Sequence, residues 1–227
     1  MKEKITVLSG AGISAESGLR TFRDSGGLWE GHDIMEVASP EGWNSSNKRV
    51  LDFYNQRRKD AAIAKPNLAH ELIAKLEDAY DVTVVTQNVD SLHEKAGSTH
   101  IIHLHGQLNE SRSTLDPSLV YDIDGTELNL GDLCELGSQL RPNIVWFGEA
   151  VPLMDVAIEH AQDCSIFIVI GTSLTVYPAA GLIDFTSTES SKYIIDKSIP
   201  SNANIPNLQC IEDKATMGMQ LVYDQLM

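Results

Sequence analysis

The sequence predicts an α/β protein whose mostly parallel sheet is covered by helices on both faces and carries a small inserted lobe. Short apolar runs recur at residues 5–8, 82–85, 101–104, 144–147, 166–170 and 193–195, with helical stretches between them. Strands that alternate with helices pair in parallel, because each helix supplies a crossover and covers a sheet face. Two stretches break the alternation. Residues 31–65 read as mainly helical, and residues 107–140 are polar, with turn signals at Asp116-Pro117 and Asp124-Gly125. These two are expected to pack together as the lobe, leaving residues 1–30, 66–106 and 141–227 to assemble a discontinuous, Rossmann-like sheet domain.

In chain order, the first strand runs straight into Gly10-Ala11-Gly12-Ile13-Ser14-Ala15. This satisfies G-x-G-x-x-(G/A) between a strand and a helix, where backbone N–H groups and a helix N-terminus can approach a pyrophosphate. Glycines also serve tight turns that bind nothing, so the pattern alone does not decide. No acidic residue is evident at the end of a second strand about 20 residues on, which argues against an ordinary hydride-transfer dehydrogenase. Gly18-Leu19-Arg20-Thr21-Phe22-Arg23 and Gly26-Gly27-Leu28-Trp29 form a second glycine-rich stretch with aromatics and arginines, suited to a mobile cover over a ligand. Ser46 is placed to cap a helix over residues 46–64, and Asn67, after Pro66, one over residues 67–79.

The strand at residues 82–85 delivers Thr86-Gln87-Asn88-Val89-Asp90-Ser91-Leu92-His93 to its C-terminal end, where ligands sit in open parallel sheets. Further on, His103 and His105 are two apart in a strand-like run, so their side chains are expected to share a face. No third or fourth ligand stands at a useful spacing, and a metal pair is not expected there.

Composition narrows the field. The 227 residues include 42% hydrophobic and 22% charged side chains, which suits a folded protein with one substantial core rather than a disordered chain. With 32 acidic and 17 basic residues the formal net charge is −15, and the basic residues are scattered, so nucleic acid is not an expected partner. No apolar run approaches the roughly 18 residues of a membrane helix, and the opening run is too short for a signal-peptide core. Neither a membrane partner nor secretion is therefore expected, and a cytoplasmic location is. Cys134, Cys164 and Cys210 include no C-x-x-C pair, which argues against a disulfide framework and a cysteine-bound zinc.

Gly-Ala-Gly-Ile-Ser at 10–14, Thr-Gln-Asn-Val-Asp-x-Leu-His at 86–93, His105-Gly106, Val145-x-Phe147-Gly148-Glu149 and Gly171-Thr172-Ser173-Leu174 occur in the order of the sirtuin motifs. The resemblance spans roughly residues 5–215. It implies an NAD-dependent enzyme that removes acyl groups from the lysines of acylated proteins or peptides, releasing nicotinamide and O-acyl-ADP-ribose. Gly10, Ala11, Gly12, Ile13, Ser14, Ala15, Glu16, Gly18, Thr21, Phe22, Arg23 and Trp29 would surround the pyrophosphate and nicotinamide ribose, with Phe22 as a shield against water. Gln87, Asn88 and Asp90 would line the nicotinamide side, Asp90 together with Ile13 holding the carboxamide and Asn88 orienting the ribose or a water.

The same resemblance makes His105 the general base toward the ribose hydroxyls and Asn88 its catalytic companion. The task suits an imidazole whose unperturbed pKa of about 6.5 lies near working pH. Gly171, Thr172, Ser173, Asp196, Lys197, Ser198 and Ala215 would contact the phosphate and adenosine end, and Asp196 would repel a 2′-phosphate and so favour NAD over NADP. Val145, Phe147, Gly148 and Glu149 would offer an extended edge to which a substrate peptide adds as a strand. Tyr54 and Arg57, three apart on a helix, resemble the Tyr-x-x-Arg signature of the desuccinylase and demalonylase branch, in which phenol and guanidinium receive the distal carboxylate. Without that context Arg57 reads as a solvated residue beside Arg58 and Lys59.

The chain departs from the family where most members carry four zinc-binding cysteines. Residues 107–140 hold only Cys134, so no zinc is expected, and packing or hydrogen bonds must stabilise this segment. Arg20 stands where proline is common. A monomer is expected, by analogy with short members. The rival readings are an NAD hydrolase or ADP-ribosyltransferase on the same scaffold and a non-catalytic NAD sensor. The peptide-docking motif with Tyr54 and Arg57 speaks against the first, and His105 with Asn88 against the second.

Overall fold

The structure, a computed structural model, describes residues 2–20, 28–29, 32–199 and 205–227. The chain opens with β1 (Lys4–Ser9), the short α1 (Ala11–Ser14) and a 3-10 turn (Ala15–Ser17). Next come the two-residue strands β2 (Leu28–Trp29) and β3 (His32–Asp33), then α2 (Ile34–Val37), α3 (Pro40–Ser45), α4 (Asn47–Ile63) and α5 (Leu68–Leu76). They are followed by β4 (Asp81–Thr86), α6 (Leu92–Ala96), β5 (Ile101–His103), β6 (Gly106–Ser113), β7 (Val120–Asp122) and β8 (Leu140–Ile144). The remainder is α7 (Met154–Asp163), β9 (Ile166–Ile170), a 3-10 helix (Ala179–Phe185), β10 (Ser191–Asp196), β11 (Leu208–Glu212) and α8 (Ala215–Leu226).

Six strands form one parallel sheet in the order β11-β10-β9-β1-β4-β5. Successive side chains of a strand point to opposite faces, and the central strands show it. Val7, Ile168 and Ile195 enter a core under α5 and α8, whereas Leu8, Val169 and Ile194 enter a second core under α7 and the Ala179–Phe185 helix. The caps expected for α4 and α5 are present, Ser46 Oγ accepting from Arg49 N and Asn67 Oδ1 from Ala69 N. Helix α5 ends at Leu76 rather than running on to residue 79.

The chain reverses its winding direction at β1. From there β4 and β5 lie to one side and β9, β10 and β11 to the other, which opens a crevice at the carboxyl ends of β1 and β9.

One strand expectation is corrected. The apolar run at residues 144–147 is not a strand of the parallel sheet; the strand is Leu140–Ile144, antiparallel to β6 in a separate sheet ordered β7-β6-β8. Pro142 is tolerated because β8 is an edge strand of its sheet. The sequence reading also passed over β11. Its exposed Gln209 and Cys210 hide the apolar pattern at the sheet edge.

This second sheet shares a core with α2, α3 and α4, built from Val37, Trp43, Val50, Phe53 and Tyr54 packed on Leu108, Leu128, Ile144 and Trp146. Beside it, α4 is stitched to the 106–130 region. Arg58 donates to Leu108 O at 2.6 Å, Thr126 O at 3.1 Å and Asn55 Oδ1 at 2.7 Å. Asn55 pairs with the Leu128 backbone in both directions, at 3.1 and 3.0 Å. Burial alone pushes the Arg58 guanidinium down to about 10, still charged at neutral pH.

Candidate active site

Two turns meet in the crevice. Gly10 N donates to Ile170 O at 3.0 Å and Gly12 N to Gly171 O at 2.8 Å, so the turn after β1 is bonded to the turn after β9. Gly171 has φ +65°, and a Cβ there would lie 2.2 Å from Ile13 N. Only glycine fits, both for the backbone angle and for the close approach. With Gly10, Gly12 and Ile13 amides already used inside the protein, the turn contributes shape at these positions rather than free donors. Asn67 Nδ2 anchors the same turn by donating to Ile13 O at 2.8 Å and Ser17 Oγ at 3.0 Å.

Beyond β4 the chain leaves the sheet with Asn88 N donating to Thr86 Oγ1 at 3.0 Å. Asn88 Nδ2 donates to Gly10 O at 3.1 Å and Ser14 Oγ at 3.2 Å, and Gln87 Nε2 donates to Thr172 Oγ1 at 3.2 Å. Asp90 accepts from Ser14 Oγ and Leu92 N, each at 3.1 Å. Burial raises its carboxyl above the ordinary range, against the pull of those two bonds. The post-β4 loop thereby grips both glycine turns from one side.

His105 follows β5 and precedes Gly106, whose φ of +81° and missing Cβ let the chain pass 1.9 Å, measured from an ideal Cβ position, from Asn143 O. The ring places Nδ1 3.1 Å from Gln87 O. A carbonyl oxygen only accepts, so Nδ1 carries the proton and Nε2 keeps its lone pair. Burial lowers the imidazole pKa below its usual value, while the Gln87 bond works the other way. The net result is a neutral ring at pH 7, with the tautomer a base requires.

The expectation that His103 and His105 share a face is corrected, because the strand ends at His103 and its alternation does not reach His105. His103 lies outside the cavity that His105 lines. Its Nε2 sits 2.6 Å from the Glu94 carboxylate and its Nδ1 3.3 Å from Asn88 O. Burial opposes charge on the His103 ring, but Glu94 overrides it and the pKa is raised. Among the described residues no group of three or more His, Cys, Asp or Glu could hold a metal ion.

A cavity of about 490 Å³ joins these parts. Of the residues singled out from the sequence, its wall contains Gly10, Ala11, Gly12, Ser14, Ala15, Gln87, Asn88, Asp90, His105, Gly171, Thr172, Ser173, Asp196, Lys197 and Ala215. On the lobe side it also contains Tyr54, Arg57, Val145, Phe147, Gly148 and Glu149. Ile13, Glu16, Gly18 and Ser198 are not in the wall. Ile13 is fully buried in the sheet core, and Glu16 instead accepts from Thr216 N and Oγ1 at the start of α8, at 3.1 and 3.0 Å. Ser198 N donates to Asp196 Oδ1 at 3.1 Å. Thr21, Phe22 and Arg23 lie outside the described residues, as does the side chain of Trp29. Sequence reasoning missed Ala38, Trp146 and Asp213, all in the wall. Trp146 stood inside the Val145–Glu149 motif and could have been found there, but Asp213 follows the strand that went unseen.

The stretch from Val145 to Glu149 leaves β8 without strand pairing and turns at its Trp146–Glu149 end. Val145 N donates to His105 O, Phe147 N to Ala38 O, and Glu149 N to Trp146 O, at 2.9, 2.9 and 3.0 Å. The Glu149 carboxylate faces inward and accepts from Trp146 N at 2.8 Å, from Arg141 at 2.7 and 3.0 Å and from Arg112 at 3.1 Å. Burial would raise this carboxyl, but Arg141, Trp146 N–H and Arg112 hold it below the usual range. It fixes the turn and has no acceptor left to offer a peptide. Tyr54 is fully buried, and Arg57, one turn along α4, is half-buried.

Comparison with known proteins agrees with this geometry. Residues 10–178 match the Sir2 family. A Helicobacter pylori (strain ATCC 700392 / 26695) protein named NAD-dependent protein deacylase is 55% identical over 219 residues, 96% of this chain and 95% of the relative. Two solved structures, a Sir2 homologue variant bound to ADP-ribose and a Sir2 homologue–NAD complex, superpose with TM-scores of 0.90 and 0.89. Each is 33% identical and covers 99% of this chain, which in turn covers 92% and 90% of those chains. With likeness running over nearly its whole length, the chain belongs to the Sir2 family.

Proposed function

We propose that this protein is an NAD-dependent protein-lysine deacylase that prefers acidic acyl groups, succinyl or malonyl, with deacetylation as a secondary activity. The dependence on NAD and the deacylase activity rest on the family and on the cavity. The acyl preference rests on one observation: Tyr54 and Arg57 line the same cavity as His105 and the glycine turns.

The donor set suits a dinucleotide. Small residues of the two bonded turns line the cavity together with Asp196, Lys197, Asp213 and Ala215. Carboxylates accept from ribose hydroxyls and repel an added 2′-phosphate, which favours NAD over NADP. Bound NAD supplies an electrophilic ribose carbon and nicotinamide as leaving group. His105 Nε2, with its lone pair free, would be the group to accept a proton from a sugar hydroxyl, and the Nδ1–H bond to Gln87 O would steady the charge gained. Asn88, whose Nδ2 is tied to Gly10 O and Ser14 Oγ, fixes the loop and would orient the sugar or a water beside it. Asp90 is buried and His105 half-buried at this end of the cavity, an enclosure that would limit loss of NAD to water.

Toward the lobe, the Arg57 guanidinium binds a distal carboxylate through paired charge-assisted bonds and the Tyr54 hydroxyl adds a third. Arg57→Met tests this. Desuccinylation kcat/KM is expected to fall about 100-fold, the worth of roughly 3 kcal/mol of charged hydrogen bonding, and deacetylation far less. Equal losses on matched succinyl- and acetyl-lysine peptides would sink the acyl preference and leave the deacylase reading standing.

A further inference from the structure

We infer that Trp146 is a positioning residue for acyl selectivity: its indole N–H holds the Tyr54 phenol so that the hydroxyl proton is offered to the acyl carboxylate. The inference rests on the acidic-acyl reading. Trp146 Nε1 donates to Tyr54 Oη at 3.1 Å. An indole N–H has no acceptor capacity, so the phenol must be the acceptor in this pair. A phenolic proton lies in the ring plane and has two stable positions. With the indole occupying one side of the oxygen, the proton is left to the other, and no described residue takes it. Burial raises the Tyr54 pKa far above neutrality, so the group stays a donor throughout the working range.

The indole itself is fixed from several directions. Arg141 stacks on it with Cζ 3.3 Å from the ring centroid. That guanidinium is in turn clamped by Glu149 and by Ile144 O at 2.9 Å. Trp43 lies with its centroid 5.7 Å from that of Trp146, and the Trp146 side chain is 2% exposed. A ring so held needs no ordering when substrate arrives, and it transmits that rigidity to a hydroxyl that would otherwise rotate. The Arg112–Arg141–Glu149 cluster beneath the turn thus acts on the acyl pocket through Trp146, without touching the acyl group.

The test uses Trp146→Phe, which removes the donor and keeps an aromatic ring, with Tyr54→Phe and the double variant. The readout is the ratio of kcat/KM for succinyl- and acetyl-lysine peptides at saturating NAD. Both substrates meet the same folded fraction, so the ratio is insensitive to partial unfolding. Trp146→Phe is expected to lower the ratio about tenfold, the scale of one misdirected hydrogen bond to a charged group, through KM for the succinyl peptide rather than kcat. In the Tyr54→Phe background it is expected to add nothing. A wild-type ratio for Trp146→Phe, or an additive loss in the double variant, would overturn the inference. Arg57→Met, run alongside, separates the two failures. If it abolishes selectivity while Trp146→Phe keeps it, only the role of Trp146 falls; if it too keeps selectivity, both readings fall.

Discussion

At the scale of single residues, the site works by fixing protons before a ligand arrives. His105 has one ring nitrogen committed to Gln87 O and a pKa lowered by burial. A base must be deprotonated, and a lowered pKa moves its protonation to the acid side. The activity is therefore predicted to rise with pH along a limb centred below 6.5 and to be flat through neutrality. A kcat/KM profile for the peptide, followed by nicotinamide release, checks this, and a limb centred above 7.5 would contradict the assigned tautomer and environment. The sequence revealed which residue types gather here, because the motifs pair strand ends with amides, carboxylates and an imidazole. It did not reveal which of them turn away. Ile13 and Glu16 belong to the glycine motif, yet one packs into the core and the other binds the start of α8. Their neighbours in space, α5 and α8, lie far off in the chain, and no local pattern announces them.

At the scale of elements, the region from β6 to β8 is tied to α4 by hydrogen bonds from two buried side chains. Asn55 and Arg58 satisfy the Leu108, Thr126 and Leu128 backbone. Removing this buried guanidinium would take its donor from Leu108 O and Thr126 O, while Asn55 Oδ1 keeps Leu128 N. Arg58→Leu is expected to cost about 3 kcal/mol, a fall in Tm of roughly 10 °C for a chain of this size, whereas a chelator should leave the wild-type Tm unchanged. A chelator-induced drop would show that a bound metal, not this network, carries the region. Nothing in the sequence marked Arg58 for the task, since three neighbouring basic side chains on a helix look alike until packing selects one. The misplaced strand has a related cause. Residues 144–147 are the most apolar stretch there, but Trp146 earns its burial by filling the lobe core from a turn, and the true strand carries Arg141, Pro142 and Asn143.

For the whole molecule, the parallel sheet supplies a crevice where two glycine turns meet, and the helices and small sheet beside it supply a wall with a phenol and a guanidinium. The reversal of strand order at β1 was legible only as a fold class, since strand order depends on contacts between distant segments. That Tyr54 would face the same cavity as His105, 51 positions later in the chain, required the lobe core to be in place. If one cavity couples the dinucleotide to the acylated lysine, as proposed, neither is consumed alone. The measurement is the stoichiometry of nicotinamide and free lysine peptide formed from NAD and a succinyl-lysine peptide, with each substrate also supplied singly. Equal amounts of the two products are expected from the complete mixture and neither from the incomplete ones. Nicotinamide formed without peptide at the full rate, or peptide deacylated without NAD, would contradict it.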